Sequence, residues 1–421
     1  MKLPIFLPAV ILVSTSAFAV ADDGGVEPAP DALASPDAGA PDALPPPAPA
    51  PAPPPAPAAG FKLEEITAVG TRESRTAGLA HILKRQELER LRLDNPETVV
   101  KAVPGVYTRG EDGFGLRPNI GIRGTSPDRS KKLTLMEDGI LFGPAPYSAP
   151  AAYYFPLINR METVRVIKGP GAVVFGPQTV GGAIDLVTRS IPTRDSGSVD
   201  LAGGQYGYGR LQAHYGTSGP RGGYVLEGVH LRTDGFKTID GAPDANTGFV
   251  RNEWMWKGRY VVSTDPAARQ QVGLKLGYSD EDSHETYLGL TDADFRANPY
   301  RRYAASRLDR MRWHRTQVVG TYEAQFGRDL TLDVAVYRHD LARTWRKVNR
   351  FGDMAIADVL NAPMSARNRL YYGVLTGELD STGGGDTIYI GPNNRSFVSQ
   401  GVQARLSWRG NTGPVSHKAE I

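Results

Sequence analysis

At 421 residues, with a formal net charge of +3, 48 Gly, 33 Pro, 18 Tyr and no Cys, the chain is long enough for two or more domains, or for one barrel with an accessory domain. The missing cysteines exclude a disulfide, a thiol nucleophile and a zinc-thiolate site, and the small, dispersed positive charge argues against nucleic acid as a partner. The abundance of Gly, Pro and Tyr favours turns and strands over long helices.

Residues 1–21 open with Lys2, continue through the apolar run Leu3 to Val13 and end in Ala17-Phe18-Ala19 and Ala19-Val20-Ala21. This pattern predicts a cleaved secretory signal peptide, too short and too interrupted by Pro4 and Pro8 to be an anchor. Nothing after it is apolar for long enough to be a membrane helix, so a membrane location would require a closed β-barrel. Residues 22–60 are almost entirely Pro, Ala and Asp, a composition that favours an extended linker over a packed core.

A short alternating run, Glu65-Ile66-Thr67-Ala68-Val69, follows within residues 61–72. Ala80 to Leu93 has helical spacing, with Ile82, Leu83, Leu88 and Leu91 on one face and Asn95-Pro96 as its stop. A second helix is expected from Asn95-Pro96-Glu97 to Val103, ended by Pro104-Gly105. Strands are expected at Ile120 to Arg123, Lys132 to Met136, Val164 to Ile167 and Ala183 to Thr188, which together describe a small α+β domain ending near Pro192. Between the last two strands lie Gly169, Gly171, Gly176, Gly181 and Gly182. A dinucleotide-binding reading fails there, because Val174 stands where the third glycine would be and no Gly-Lys-Ser/Thr follows. The glycines instead predict tight turns and a close backbone approach.

From Ser196 onward the pattern is of strands, polar on one face and apolar on the other. Leu211, Ala213 and Tyr215 alternate with Arg210, Gln212 and His214; Val272, Leu274, Leu276 and Tyr278 alternate with Gln271, Gly273 and Lys275. Trp254, Trp256, Tyr260 and Val262 behave alike against Met255, Lys257 and Arg259. Short turns near residues 218–223, 265–269, 327–329 and 410–414 alternate with long links at 235–252, 281–310 and 342–400. A soluble sandwich has no reason for such alternation, whereas a transmembrane barrel has short periplasmic turns and long outer loops. Roughly nine strands are expected up to Ile421. A nine-stranded sheet with open edges could not sit closed in lipid, which predicts a fragment or a truncated product.

The stretch VRVIKGPGAVVFGPQTVGGAIDLVTRSIP (Val164 to Pro192), preceded in order by RPNIGIRGTSPDRS, LTLMEDGI and GPAPYSAP, resembles the plug domain of TonB-dependent outer-membrane receptors. APY followed by FGPQTVGG is most similar to the ferric dicitrate receptor branch. The resemblance implies an α+β plug domain at residues 73–192, followed at 193–421 by the antiparallel strands of a transmembrane β-barrel. It makes Glu65, Ile66, Thr67, Ala68 and Val69 the TonB box, an extended segment that adds to an edge strand of TonB. It implies no enzymatic activity and no covalent cofactor, and the seven histidines show no metal-ligand spacing.

The expected cargo is an Fe(III) chelate, ferric citrate or a related siderophore. The alternatives are another importer, for cobalamin, a nickel chelate or a different siderophore, and a truncated binding protein that does not transport. The expected partners are TonB with its inner-membrane energising complex, and outer-membrane lipid. Thr125, Ser126, Arg129 and Tyr147 are expected at the plug apex. Arg301, Arg302, Arg343 and Arg346 are expected to meet the anionic ligand in the outer loops, because arginine pairs with carboxylates. Arg123 and Glu162 are expected to lock the plug against the barrel wall.

Overall fold

The computed structural model describes residues 80–91, 94–143, 154–176, 178–284 and 286–421. The expected signal peptide, linker and TonB box, and Tyr147 at the expected apex, lie outside the described residues. The plug runs β1 (Ala80–Lys84), α1 (Arg85–Leu91), α2 (Pro96–Lys101), β2 (Val106–Arg109), β3 (Asn119–Ile122), β4 (Leu133–Glu137), β5 (Ile140–Leu141), β6 (Met161–Lys168) and β7 (Gly182–Thr188). Its main sheet has the order β1-β6-β7-β4-β5, and β2 pairs with β3 separately.

The helix expected over Ala80 to Leu93 is corrected in its first part. Ala80 to Lys84 are a strand, antiparallel to β6 from Ala80 opposite Ile167 to Lys84 opposite Thr163. That pairing satisfies the backbone of β6 on its open side and puts Leu83 wholly inside the core, which outweighs the helical spacing. Asn95 does start the second helix, its side chain accepting from the Glu97 and Thr98 amides at 2.8 and 3.3 Å. The glycine cluster has two structural causes. Residues Gly169–Phe175 coil into a 3-10 stretch, and Gly182 sits at φ 142 so close to β6 that a Cβ would lie 2.3 Å from the Ile167 carbonyl oxygen.

The second part comprises β8 (Ser196–Gly203), β9 (Gly209–Ser218), β10 (Gly222–Thr233), β11 (Thr238–Ile239), β12 (Phe249–Ser263), β13 (Ala268–Ser283), α3 (Asp292–Ala297), β14 (Arg301–Arg302), β15 (Arg310–Phe326), β16 (Leu330–Phe351), α4 (Ile356–Asn361), α5 (Arg369–Thr376), β17 (Ile388–Thr412) and β18 (Val415–Glu420). Apart from the two-residue pair β11 and β14, these strands form one nine-stranded antiparallel meander in chain order. Turns at 219–221, 264–267, 327–329 and 413–414 are short, and links at 234–248, 284–309 and 352–387 are long. The link expected over Ala342 to Gln400 is shorter than the sequence suggested, because β16 and β17 stay paired out to Phe351 opposite Ile388. These two strands, of 22 and 25 residues, greatly exceed the ~9–11 residues that cross a bilayer.

Burial in this sheet is inverted relative to a soluble protein. On β12, Arg251, Glu253 and Lys257 are 0, 1 and 3% exposed, while Trp254 and Val262 are 55 and 54% exposed. On β13, Gln271, Lys275, Ser279 and Glu281 are buried and Val272, Leu274, Leu276 and Tyr278 are exposed. Leaving a large apolar side chain in water rather than burying it forfeits ~1.5–3 kcal/mol, so a face composed of them calls for an apolar surrounding, as the outside of a membrane barrel has in lipid. The polar face is buried because the plug packs on it: Met311, Trp313 and Leu341 of the sheet join Tyr154, Phe155, Ile158 and Met161 of the plug in one core.

Candidate functional site

The register of the sheet creates a problem that the plug solves. Lys257 and Lys275 stand directly opposite each other across β12 and β13, on the inner face, where like charges repel. The plug turn between β4 and β5 supplies the opposite charge. Lys275 Nζ lies 2.5 Å from Glu137 Oε1 and 2.7 Å from Asp138 Oδ2, and Lys257 Nζ lies 3.2 Å from Asp138 Oδ2. Glu137 also receives Arg160 at 3.0 Å, and Arg160 bonds Glu253 on β12. Burial alone would raise the Glu137 carboxyl, but Arg160, Lys275 and Arg315 hold it well below the usual carboxylate range. Asp138 behaves alike, its burial overcome by Lys257 and Lys275.

Asp138 has φ 52, a left-handed turn that aspartate and asparagine tolerate. Its Oδ1 accepts from the Thr188 amide at 2.8 Å and its Oδ2 from the Thr188 hydroxyl at 2.7 Å. The acidic turn is therefore tied to the end of β7 before it meets the lysines. Asp185, on β7, accepts from the Gly139 amide at 2.8 Å. Its burial pushes the carboxyl up to about 6, against the Gly139 amide and Arg165.

A second ionic contact lies higher on the same strands. Arg251 stands opposite Glu281 across β12 and β13, and Glu281 receives Arg117 of the plug, which also pairs with Asp112 at 3.3 Å. A plug tyrosine, Tyr154, stacks between Arg315 and Arg251, whose guanidinium carbons lie 4.6 and 5.6 Å from its ring centre. On the β9 and β10 side, Arg189 pairs with Glu227 at 3.1 Å, and Gln212 donates to the Asn159 carbonyl at 2.9 Å.

The residues expected to form the lock are placed differently. Glu162 is half-buried on β6 and accepts from the Ser190 amide at 2.8 Å and from the Ser190 hydroxyl, contacts internal to the plug's exit. Arg123 is exposed in the turn after β3 at φ 51, with its charge felt by Lys168. The ion pairs that bridge plug and wall run through Asp94, Arg117, Glu137, Asp138, Arg160 and Arg189. The sequence signal for the wall's share was the charge at alternating inner positions, Arg251, Glu253 and Lys257, then Lys275 and Glu281. Only the register shows which of them face each other.

At the expected apex, Thr125 folds back on its own turn, its hydroxyl donating to the Ile122 carbonyl at 3.0 Å, and Ser126 accepts from the Asp128 amide at 3.4 Å. Arg129 is exposed. It faces Tyr287, whose hydroxyl is raised by burial and then by Glu111, with Arg129 opposing. Lys347 stands 4.0 Å from the Tyr287 ring centre and 4.9 Å from that of Trp345. Of the arginines expected in the outer loops, Arg301 and Arg302 stand in the link 284–309, whereas Arg343 and Arg346 stand on β16, which stays paired with β15 and β17 there, and all four are engaged within the protein. Arg301 bonds both oxygens of Asp240 at 3.0 Å and Asp294 at 2.6 Å. Arg302 bonds Thr286, Arg343 bonds Asn393, and Arg346 bonds the Leu308 carbonyl. Among the described residues, no group of three His, Asp or Glu side chains could hold a metal ion.

This arrangement, an α+β domain fastened by charge to the wet face of an outward-apolar sheet, agrees with what known proteins show. Residues 72–183 match the family model described as the TonB-dependent receptor plug domain. The match runs from just before β1 into β7. The chain is 26% identical over 171 residues to the vitamin B12 transporter BtuB of Vibrio vulnificus, covering 40% of this chain and 27% of the relative. It is 24% identical over 214 residues to the protein of the same name from Photobacterium profundum, covering 51% and 32%. Among solved structures, the unliganded ferric citrate transporter FecA aligns with a TM-score of 0.60 at 20% identity, over 81% of this chain and 46% of that one. The ferric yersiniabactin uptake receptor FyuA from Yersinia pestis aligns with 0.57 at 13% identity, over 79% and 46%. The chain thus carries the fold of a TonB-dependent receptor, a plug with antiparallel barrel strands. It spans less than half the length of each of these relatives.

Proposed function

We propose that this chain supplies the plug and nine wall strands of a TonB-dependent receptor in the bacterial outer membrane, which takes an Fe(III) chelate, ferric citrate or a related siderophore, into the periplasm. The observation that carries this reading is the inverted sheet, apolar toward lipid and charged toward a plug that neutralises it. In this reading TonB, energised by its inner-membrane partners, pairs with the backbone of Glu65 to Val69 and pulls. The pull acts on a plug held by charged contacts, whose partners can exchange for water, and by the apolar cluster it shares with Met311, Trp313 and Leu341 of the wall. The chelate would rest at the apex against Arg129 and Lys347, whose charges suit an anionic complex, beside Tyr287 and Trp345.

The test is uptake of radiolabelled ferric citrate by cells that depend on this protein, with and without residues 65–69. Loss of uptake with chelate binding retained supports the reading; uptake that survives the deletion overturns the role of that segment. A second cargo, cobalamin, is favoured by the two relatives named as vitamin B12 transporters. Cobalamin that displaces the iron chelate, or enters in its place, would select that reading.

A further inference from the structure

The plug loop 110–117 and the outer loops form one connected structure. Asp112 is buried and organises its own loop, accepting from the Phe114 and Gly115 amides at 2.9 and 2.6 Å. Its backbone carbonyl receives Lys237 Nζ at 3.0 Å. Lys237 lies in the link 234–248, with Phe114 of the plug and Phe236 of the link each 5.8 Å from its ammonium. The fit is close, since a Cβ on Gly113 would lie 3.3 Å from Lys237 Cε and Nζ.

The residues after Lys237 pass the connection on. Strand β11 pairs in parallel with β14, Thr238 opposite Arg301 and Ile239 opposite Arg302. Arg301 then holds Asp240 and Asp294 together. Asp294 Oδ2 accepts from the hydroxyls of Thr291, Tyr303 and Tyr372, each at 2.6 Å, and Tyr372 belongs to α5 in the link 352–387. Links 284–309 and 352–387 share an apolar core that includes Leu288, Tyr303, Val359 and Leu375. A packed core of this kind moves as a unit rather than as separate loops.

We propose that the three outer links act as a single cap strapped to the plug through Lys237, so that displacement of plug loop 110–117 loosens the cap from beneath. The expected path runs from Asp112 through Lys237, β11 and β14, and Arg301 to Asp294 and α5. Arg301 in this scheme is a tie between loops and not a ligand contact. The proposal needs only a plug that can shift against its wall, and it stands whichever chelate is carried.

The test is hydrogen exchange on the full protein in outer-membrane vesicles, without ligand and without TonB. Lys237→Met keeps the aliphatic stem and removes the donor. It should speed exchange of the α3 and α5 amides by about tenfold, the shift in opening equilibrium expected for loss of one buried hydrogen bond. Asp240→Asn, on the half-exposed side of the strap, should speed the same amides and leave the Phe114 and Gly115 amides unchanged. The double variant should exchange no faster at α5 than the faster single variant, because the links are in series. Acceleration confined to residues 234–248, or effects on α5 that multiply in the double variant, would overturn the proposal. Should Lys237→Met fail to assemble, Gly113→Ala, which strains plug loop 110–117 at φ 82 and presses a methyl on Lys237, displaces that loop and reads the same coupling from the plug side.

Discussion

Asp138→Asn is the most direct test of how the plug is held. The substitution is isosteric, asparagine tolerates the left-handed turn at φ 52, and its amide oxygen can still accept from the Thr188 amide, 2.8 Å away in the native protein. What it removes is the carboxylate charge 2.7 Å from Lys275 and 3.2 Å from Lys257. Removing one partner of a buried pair costs about 3–5 kcal/mol. Because Glu137 still holds Lys275 at 2.5 Å, the lower end, about 3 kcal/mol, is expected. That corresponds to roughly a hundredfold increase in plug opening. The assay is hydrogen exchange of the β4 and β7 amides as a function of urea, on protein in outer-membrane vesicles. The second step is Asp138→Asn with Lys257→Met, which removes the uncompensated lysine facing Lys275 and should restore most of the loss. An unchanged opening constant in the single variant, or a double variant no better than the single, would refute the electrostatic account and assign the turn to packing alone.

Asp185→Asn should stabilise the plug above pH 6 and flatten its pH dependence. Between the ordinary carboxylate range and about 6 the native state keeps a proton that the unfolded chain has lost, so stability falls as pH rises, by about 3 kcal/mol in all; melting from pH 4 to 8 checks it. For Asp138, held below the ordinary range, the sign is opposite: its contribution is complete at neutral pH and is lost as pH falls below about 4, a loss absent from Asp138→Asn. Leu276→Arg, on the outer face midway along β13, should reduce insertion into lipid by about 2–4 kcal/mol, measured as urea-dependent folding into vesicles, while Gln271→Arg on the inner face should leave insertion unchanged. Gly182→Ala should destabilise the plug by more than about 1 kcal/mol, since its methyl would meet the Ile167 carbonyl at 2.3 Å; a thermal scan showing no change would overturn that reading.

The two-part architecture was legible in the chain, because both parts rest on local chemistry. Period-two alternation of Leu211, Ala213 and Tyr215 against Arg210, Gln212 and His214 dictates a sheet with one apolar and one polar face whatever lies beyond it. The short and long links follow from turn residues, and Asn95-Pro96 starts a helix by the geometry of a cap. The glycines before β7 announced a close approach, although not that its partner is the β6 carbonyl of Ile167. Helical spacing over Ala80 to Leu93 misled, because an edge strand is stabilised by a partner about 80 residues away that no local pattern contains.

The functional contacts divide along the same line. The sequence by itself determined that Lys257 and Lys275 lie on the polar face, and that Arg301 and Arg302 lie in a long link; it left Arg251 and Glu281 in links, and the structure puts them on β12 and β13. Only the tertiary structure decided that Lys257 faces Lys275 and must be neutralised by Glu137 and Asp138, and that Arg301 ties Asp240 to Asp294. A charged side chain has no role until its nearest opposite charge is known, because the energy of a pair depends on separation and burial. Both are set by strand register and by the docking of the plug, which arise from contacts between residues far apart in the chain.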